Sequence, residues 1–230
     1  LGRRWSTRHM RSTHVGRDTT DRNDRHYGMV PALVLRGRPF ERLLGNERIK
    51  AYLASILGET CVLYAYTSSS MPPQSTNYSR RIHVDCPRFI PGYVTNVGLT
   101  LMLDTFSSQS GATRILPRSH LKPDEPTEEQ FSADAVEILG EPGGALFFSG
   151  RTWHRGGLNQ TDDWRHAVTL NACRSYMKQR FDWPRLVPRE ILDRNSAAFR
   201  QFIGYDVRVP STLEEYHVPE EQRLYKPNQG

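Results

Sequence analysis

Hydrophobic residues follow two different spacings along this chain. In NERIKAYLASILG (46–58) they fall at 49, 52, 53, 56 and 57, the interval that turns one face of a helix to a core. Asn46 suits the N-cap and Gly58 the stop, so a helix is predicted within residues 41–58. From residue 60 the spacing changes. TCVLYAY (60–66), VGLTLMLD (97–104), ATRIL (112–116), AVEIL (135–139), GALFFS (144–149) and HAVTLNACRSYM (166–177) are short and rich in β-branched and aromatic residues. Clusters of Gly, Pro, Ser and Asn separate them. Six strands with no helical pattern between them predict an antiparallel sandwich or double-stranded barrel rather than alternating βαβ units. PREILDRNSAAFRQFIG (188–204) then returns to helical spacing, with Pro188 near its start and Gly204 past its end. No repeat or second domain stands out. The expected layout is one domain over 1–230: a mobile polar N-terminal or lid region (1–40), a helix (41–58), a β core (60–177) and a helical C-terminal extension (178–230).

Composition narrows the class. Hydrophobic residues make up 37% of the 230 and aromatic residues 10%, enough for a globular core. No run approaches the roughly 18 apolar residues that span a bilayer, so no membrane partner is expected. The opening LGRRWSTRHM has no apolar stretch of the signal-peptide kind, and export is not expected. Cys61, Cys86 and Cys173 are odd in number and lack CxxC spacing, which argues against a disulfide framework or a cysteine zinc site and for a reducing cytoplasm. The net charge of +6 is concentrated: residues 1–50 hold 12 Lys/Arg against 5 Asp/Glu, a local +7 that leaves −1 for the rest. In GRDTTDRNDRHYG (16–28) these arginines alternate with acids instead of interleaving with aromatics, so no nucleic-acid partner is expected.

The chemistry begins with His83-Val84-Asp85 in SRRIHVDCPRFIPG. In an extended segment residues two apart share a face, so His83 and Asp85 can hold one cation or proton between them. Cys86 then points away and is read as packing. A surface ion pair is the bland alternative. His154, in a turn after GALFFS, supplies a second imidazole, and two imidazoles with one carboxylate form the ligand face of non-haem Fe(II) oxygenases, leaving positions open for a co-substrate and O2. Zinc can use the same three donors, which would make the site a zinc-dependent hydrolase or lyase. A non-catalytic cupin-like binding protein is a third reading. Arg165 opens an apolar strand, so its guanidinium either pairs with Asp162 or Asp163 at the surface or is aimed inward at a ligand carboxylate. An oxygenase using 2-oxoglutarate needs such a cation; a zinc hydrolase does not. Ser119-His120 could suggest a hydrolase triad, but no Gly-x-Ser-x-Gly elbow accompanies it.

His-x-Asp, a distal His and an Arg eleven residues beyond it resemble the phytanoyl-CoA dioxygenase family of iron- and 2-oxoglutarate-dependent oxygenases. LMLDTFSSQSGATRILPRSH is similar to the family's strand, turn and "NG…PGSH" segment, GEPGGALFFSGRTWHRGGLNQT to its run into the distal histidine, and RSYMKQRFDWP with FIGYDV to its C-terminal part. The similarity covers roughly residues 60–207. It implies a mainly β fold, the double-stranded β-helix (jelly-roll, cupin-like) with flanking α-helices. It further implies that His83, Asp85 and His154 bind Fe(II), that Arg165 binds the distal carboxylate of the co-substrate 2-oxoglutarate, and that O2 is the second co-substrate. Thr100 falls where the family often places another co-substrate contact. The chain departs from the pattern at Ser110-Gly111, at Pro117-Arg118-Ser119-His120 and at Gly156, where relatives can carry a co-substrate-binding Ser. Retention of Asp85 speaks against the halogenating relatives, which carry a small residue there. HVDCPRFIPG, GRTWHRGG and RFDWP look more like bacterial members that tailor antibiotics and other secondary metabolites than like acyl-CoA hydroxylases, implying a small natural-product intermediate as substrate. The irregular segments 68–81 and 119–135 are expected to wall its pocket.

Overall fold

The computed structural model describes residues 27–223. Its frame is a four-stranded antiparallel sheet in the order β1 (Val62–Ser68), β7 (Ala167–Cys173), β2 (Asn96–Met102), β5 (Ala145–Ser149). A smaller antiparallel sheet sets β3 (Arg114–Ile115) between β4 (Val136–Glu137) and β6 (His154–Arg155). The architecture is mainly β, a cupin-like jelly-roll with flanking helices.

β7 is central, paired with β1 on one side and β2 on the other. Alternation along the strand sorts its side chains to two faces. Val168, Leu170 and Ala172 join Leu63, Tyr66, Val97 and Leu99 in the main core. Ala167, Thr169 and Asn171 therefore point to the other face, and Arg165 continues their parity. Helices cover the first face. α1 (Arg38–Leu44) and α2 (Glu47–Leu57) contribute Phe40, Leu44, Leu53 and Leu57. α3 (Glu128–Asp134) lies by the smaller sheet, its Phe131 fully buried beneath the guanidinium groups of Arg114 and Arg155. α4 (Trp183–Leu186), α5 (Arg189–Asp193) and α6 (Ala197–Ile203) add Trp183, Leu192, Phe199 and Phe202 to the main core. With one face spent on packing, the other is free for chemistry.

Several expectations need correction. The helix expected over 41–58 is two helices, broken at Gly45-Asn46 because the Asn46 side chain caps the second by accepting from the Ile49 amide. The helical stretch 188–204 also splits, since Ser196 accepts from the Phe199 amide and starts a new helix that ends at Gly204 with φ of 93°. The polar N-terminal region does not extend to residue 40: Tyr27, Val30, Leu33, Val34 and Phe40 are buried, and Pro31 bridges Thr67 of β1. Residues 1–26 lie outside the described residues. Segment 119–135 is less irregular than expected, because Thr127 and Gln130 form a capping box that starts α3.

The two ends of the helical layer meet at Glu41. Its carboxylate is fully buried and accepts from Arg194, from Arg38 at 2.9 Å and from Asn195 at 2.8 Å. Burial alone would raise the pKa of this carboxyl, but the hydrogen bonds from Arg194, Asn195 and Arg38 outweigh it and hold the group below the usual range. Glu41→Ala removes the shared acceptor of three donors, two of them on arginines about half exposed, and is expected to lower stability by about 1–3 kcal/mol, read as a fall in the urea midpoint. Because the folded pKa lies below the unfolded value of about 4.3, this increment is complete above that value and is lost as pH falls through the folded pKa. Glu41→Gln should remove that acid-sensitive increment from the stability–pH curve.

Candidate metal centre

His83 and His154 stand opposite each other in one antiparallel bridge. The His83 amide donates to the His154 carbonyl at 3.0 Å, and the His154 amide returns the bond at 2.9 Å. Residues directly opposite in this way put their side chains on the same side, and the ring centroids are 4.2 Å apart. Asp85, two positions along, comes back to that side. Its Oδ1 lies 3.9 Å from Nε2 of each histidine, and all three donor atoms lie within 4.8 Å of one another. The sequence reading put residues 83–85 in an extended segment and His154 in a turn. The structure shows an extended segment with a single bridge for the first and the two-residue strand β6 for the second.

The donor set fits a metal ion. Two imidazole nitrogens and one carboxylate oxygen are the donor types such an ion takes, and the three converge within 4.8 Å of one another. Nδ1 of His83 is 2.9 Å from the Arg81 carbonyl and Nδ1 of His154 is 2.9 Å from the Thr152 carbonyl, two residues upstream in each case. A carbonyl only accepts, so each Nδ1 keeps the proton and each Nε2 offers its lone pair to the site. Burial, with His154 alongside, lowers the pKa of His83 and keeps its ring neutral at pH 7. Asp85 Oδ2 accepts from the Asn171 side chain at 3.2 Å, leaving Oδ1 to the centre. Phe148 of β5 sets its ring edgewise against His154, centroids 4.9 Å apart.

Arg165 lies on the same inward face, only 3% exposed, with its guanidinium 4.0 Å over the ring centroid of Phe106. It does not pair with Asp162, which accepts from Gln74 instead. Its hydrogen bonds are long, 3.4 Å to each of the Ser69 and Gly111 carbonyls, and Nε has no partner among the described residues. Burial draws its pKa down to about 10, so it is still charged at pH 7. A buried cation without a bonded carboxylate is costly. Asp104 acts on the guanidinium electrostatically without a hydrogen bond to it, so Arg165 keeps unfilled capacity for an anion. Asn159 sets the reach from His154 to Arg165. Fully buried, it donates to the Pro72 and Asp163 carbonyls at 3.0 and 2.8 Å, accepts from Thr161, and folds the loop so that Arg165 bridges Met71.

Thr100 is buried on the inward parity of β2, opposite Thr169. A Cβ at Gly156 would lie 2.4 Å from Ser79 Oγ and 2.7 Å from Met71 Cε, so a side chain there requires both of those to shift. Ser119 holds the chain rather than acting as a nucleophile, its hydroxyl accepting from the Trp153 amide at 2.9 Å. Arg80 and Arg81 are exposed. The three cysteines are free and buried, with Cys86 Sγ 3.4 Å from Thr95 Oγ1. Tyr78, Asn171, Asn96 and Phe148 were not anticipated. Tyr78 donates its hydroxyl to the Ser68 carbonyl at 3.4 Å and interacts electrostatically with both Asp85 and Arg165. A tyrosine in an irregular loop carries no signal of this in the sequence.

A jelly-roll with this inner face is a non-haem iron oxygenase of the 2-oxoglutarate-dependent class. The chain matches the family described as Phytanoyl-CoA dioxygenase (PhyH) over residues 2–167 and belongs to it. Membership selects the iron enzyme over the zinc and binding-protein readings. An uncharacterised protein of Mycobacterium tuberculosis is 27% identical over 223 residues, covering 95% of this chain and 81% of that one. Dioxygenase cdmA of Talaromyces verruculosus is 31% identical over 129 residues, 54% of this chain and 40% of its own length. Among solved structures, the non-heme alpha ketoglutarate dependent epimerase SnoN from nogalamycin biosynthesis superposes with a TM-score of 0.52 at 20% identity, covering 63% of this chain and 60% of that one. EctD from S. alaskensis, solved with 2-oxoglutarate and 5-hydroxyectoine, gives 0.55 at 17% identity over 64% of this chain and 56% of its own. Both likenesses are of fold.

The packing around His154 carries its own prediction. A Cβ at Gly98 would sit 2.7 Å from the Phe148 ring. Gly98→Ala is therefore expected to push that ring against His154 and lower stability by about 1–3 kcal/mol, measured by urea denaturation of the metal-free protein.

Proposed function

We propose that this protein oxidises an unactivated C–H bond of a small natural-product intermediate, with His83, Asp85 and His154 holding Fe(II) and Arg165 holding the far carboxylate of 2-oxoglutarate. The buried Arg165, charged and bonded to no carboxylate among the described residues, supports this most directly. Three donors on one side of the ion leave positions for the 2-oxo acid end of the co-substrate and for O2. When bound, iron supplies the oxidation itself: 2-oxoglutarate and O2 become succinate and CO2, and the second oxygen atom enters the substrate as a hydroxyl. Desaturation, ring closure or epoxidation are other outcomes open to the same oxidant.

The chain's own residues orient and exclude. The Nδ1–carbonyl bonds hold both imidazoles in the ligating tautomer. Arg165 fixes one end of the co-substrate, with Thr100 on the same inward face as a second contact. Phe148 and Phe106 line the two imidazole and guanidinium ends with apolar surface and keep water from them. Segments 68–81 and 119–135 form the substrate walls. The relatives named as fungal dioxygenases, and the fold neighbour from nogalamycin biosynthesis, favour a natural-product substrate. Free, buried cysteines suit a reducing cytoplasm, and among the described residues no helix is long and apolar enough to cross a membrane. No nucleic-acid partner is proposed.

Two measurements test the reading. Anaerobic addition of Fe(II) and 2-oxoglutarate should develop a weak visible absorption that His154→Ala does not show. Arg165→Ala should retain metal but need at least about thirtyfold more 2-oxoglutarate to reach the same absorption, in line with about 2 kcal/mol for stripping a buried charge of its partner. An unshifted titration in Arg165→Ala would remove the guanidinium from this role.

A further inference from the structure

We infer that Asn171 and Asn96 form a two-amide relay from the central sheet that holds Asp85 as a one-oxygen ligand; the inference rests on reading His83, Asp85 and His154 as the metal set. Asn171 is 7% exposed and Asn96 2%. In the β2–β7 register Gly98 opposes Asn171 and Asn96 opposes Cys173, so the two amides are diagonal neighbours on the inward face. Asn96 Nδ2 donates to Asn171 Oδ1 at 3.1 Å, and Asn171 Nδ2 donates to Asp85 Oδ2 at 3.2 Å.

The direction of this chain is forced. An ionised carboxylate only accepts, so Asn171 must present its NH2 to Asp85 and its carbonyl to Asn96. Asn96 must then present its own NH2, which leaves its Oδ1 on the far side. That oxygen is buried and has no partner among the described residues. Two amides ending in an unsatisfied acceptor are a poor way to stabilise a sheet, since a buried unpaired polar atom costs about 1–3 kcal/mol. Their arrangement is accounted for by what they do to the carboxylate. With Oδ2 engaged, only Oδ1 is turned to the two imidazoles, 3.9 Å from each. A carboxylate with both oxygens free can ligate through both and occupy two positions, leaving two for the three atoms that 2-oxoglutarate and O2 bring. The relay keeps the third position open.

The test uses Mn(II), a hard ion suited to the same donors, titrated into the full chain while electron paramagnetic resonance reads the free ion. Metal-free stability is measured in parallel by urea unfolding. Asn171→Ala should weaken Mn(II) binding by about tenfold or more, the range seen when partners of metal ligands are removed. Asn96→Asp changes almost no volume but turns an acceptor toward the Asn171 carbonyl, and should weaken binding in the same direction. Asn96→Ala combined with Asn171→Ala should bind no more weakly than Asn171→Ala alone, because Asn96 acts only through Asn171. A folded Asn171→Ala protein that binds Mn(II) within twofold of wild type overturns the relay, whatever happens to its urea midpoint. If Asn171→Ala does not fold, the same twofold criterion applied to Asn96→Asp decides the question. Wild type that takes up no Mn(II) overturns the metal set itself, and the relay with it.

Discussion

Two backbone hydrogen bonds, one in each direction between His83 and His154, fix the distance between the imidazoles before any metal arrives. Side chains have rotamer freedom, but opposed Cα atoms in an antiparallel bridge do not. The chain therefore solves a long-range problem, bringing together residues 83 and 154, with a local device. The second device is equally local: each ring takes the carbonyl two residues upstream, so the tautomer is settled by backbone that is already in place. Asp85 then needs only the period of an extended chain to join them. Most of the centre's geometry is backbone geometry.

The inner face of the large sheet carries the rest. Its outer face is sealed by the helices, and a strand such as β7 is buried on both sides, apolar on one and polar on the other. This asymmetry lets one strand offer Val168, Leu170 and Ala172 to packing and Asn171 to Asp85, with Arg165 just ahead of it. A buried guanidinium bonded to no carboxylate among the described residues weakens the fold, and the helix layer, fastened at Glu41 to Arg194 and Asn195, offsets such a penalty elsewhere.

The sequence made some of this legible and hid the rest for physical reasons. His83, Asp85, His154 and Arg165 could be found because they are chemically distinctive and sit at a recognisable spacing. The strands could be found because a half-buried sheet imposes a period of two. Asn171 and Asn96 could not, since their partnership depends on a register between strands 75 residues apart in sequence. Tyr78 was hidden in a loop with no period at all. The apolar run from Met29 to Leu35 was missed for a different reason. The charges before it dominate the composition of the region, yet composition averaged over forty residues says little about the five of them, Val30 and Ala32 to Leu35, that join a core. Helix ends were misjudged where Asn46 and Ser196 start new helices inside what the apolar spacing read as continuous ones.

The match to the family model stops at residue 167, on the first residue of β7. Everything that strand does comes after that point: it zips β1 to β2 and presents Asn171. Trp183, Phe199 and Phe202, which roof the core, follow later still. The portion of the chain that the family model covers and the portion that must be synthesised before the sheet can close are thus different lengths. A polypeptide released at that boundary would carry His83, Asp85 and His154 and lack the middle of the sheet behind them.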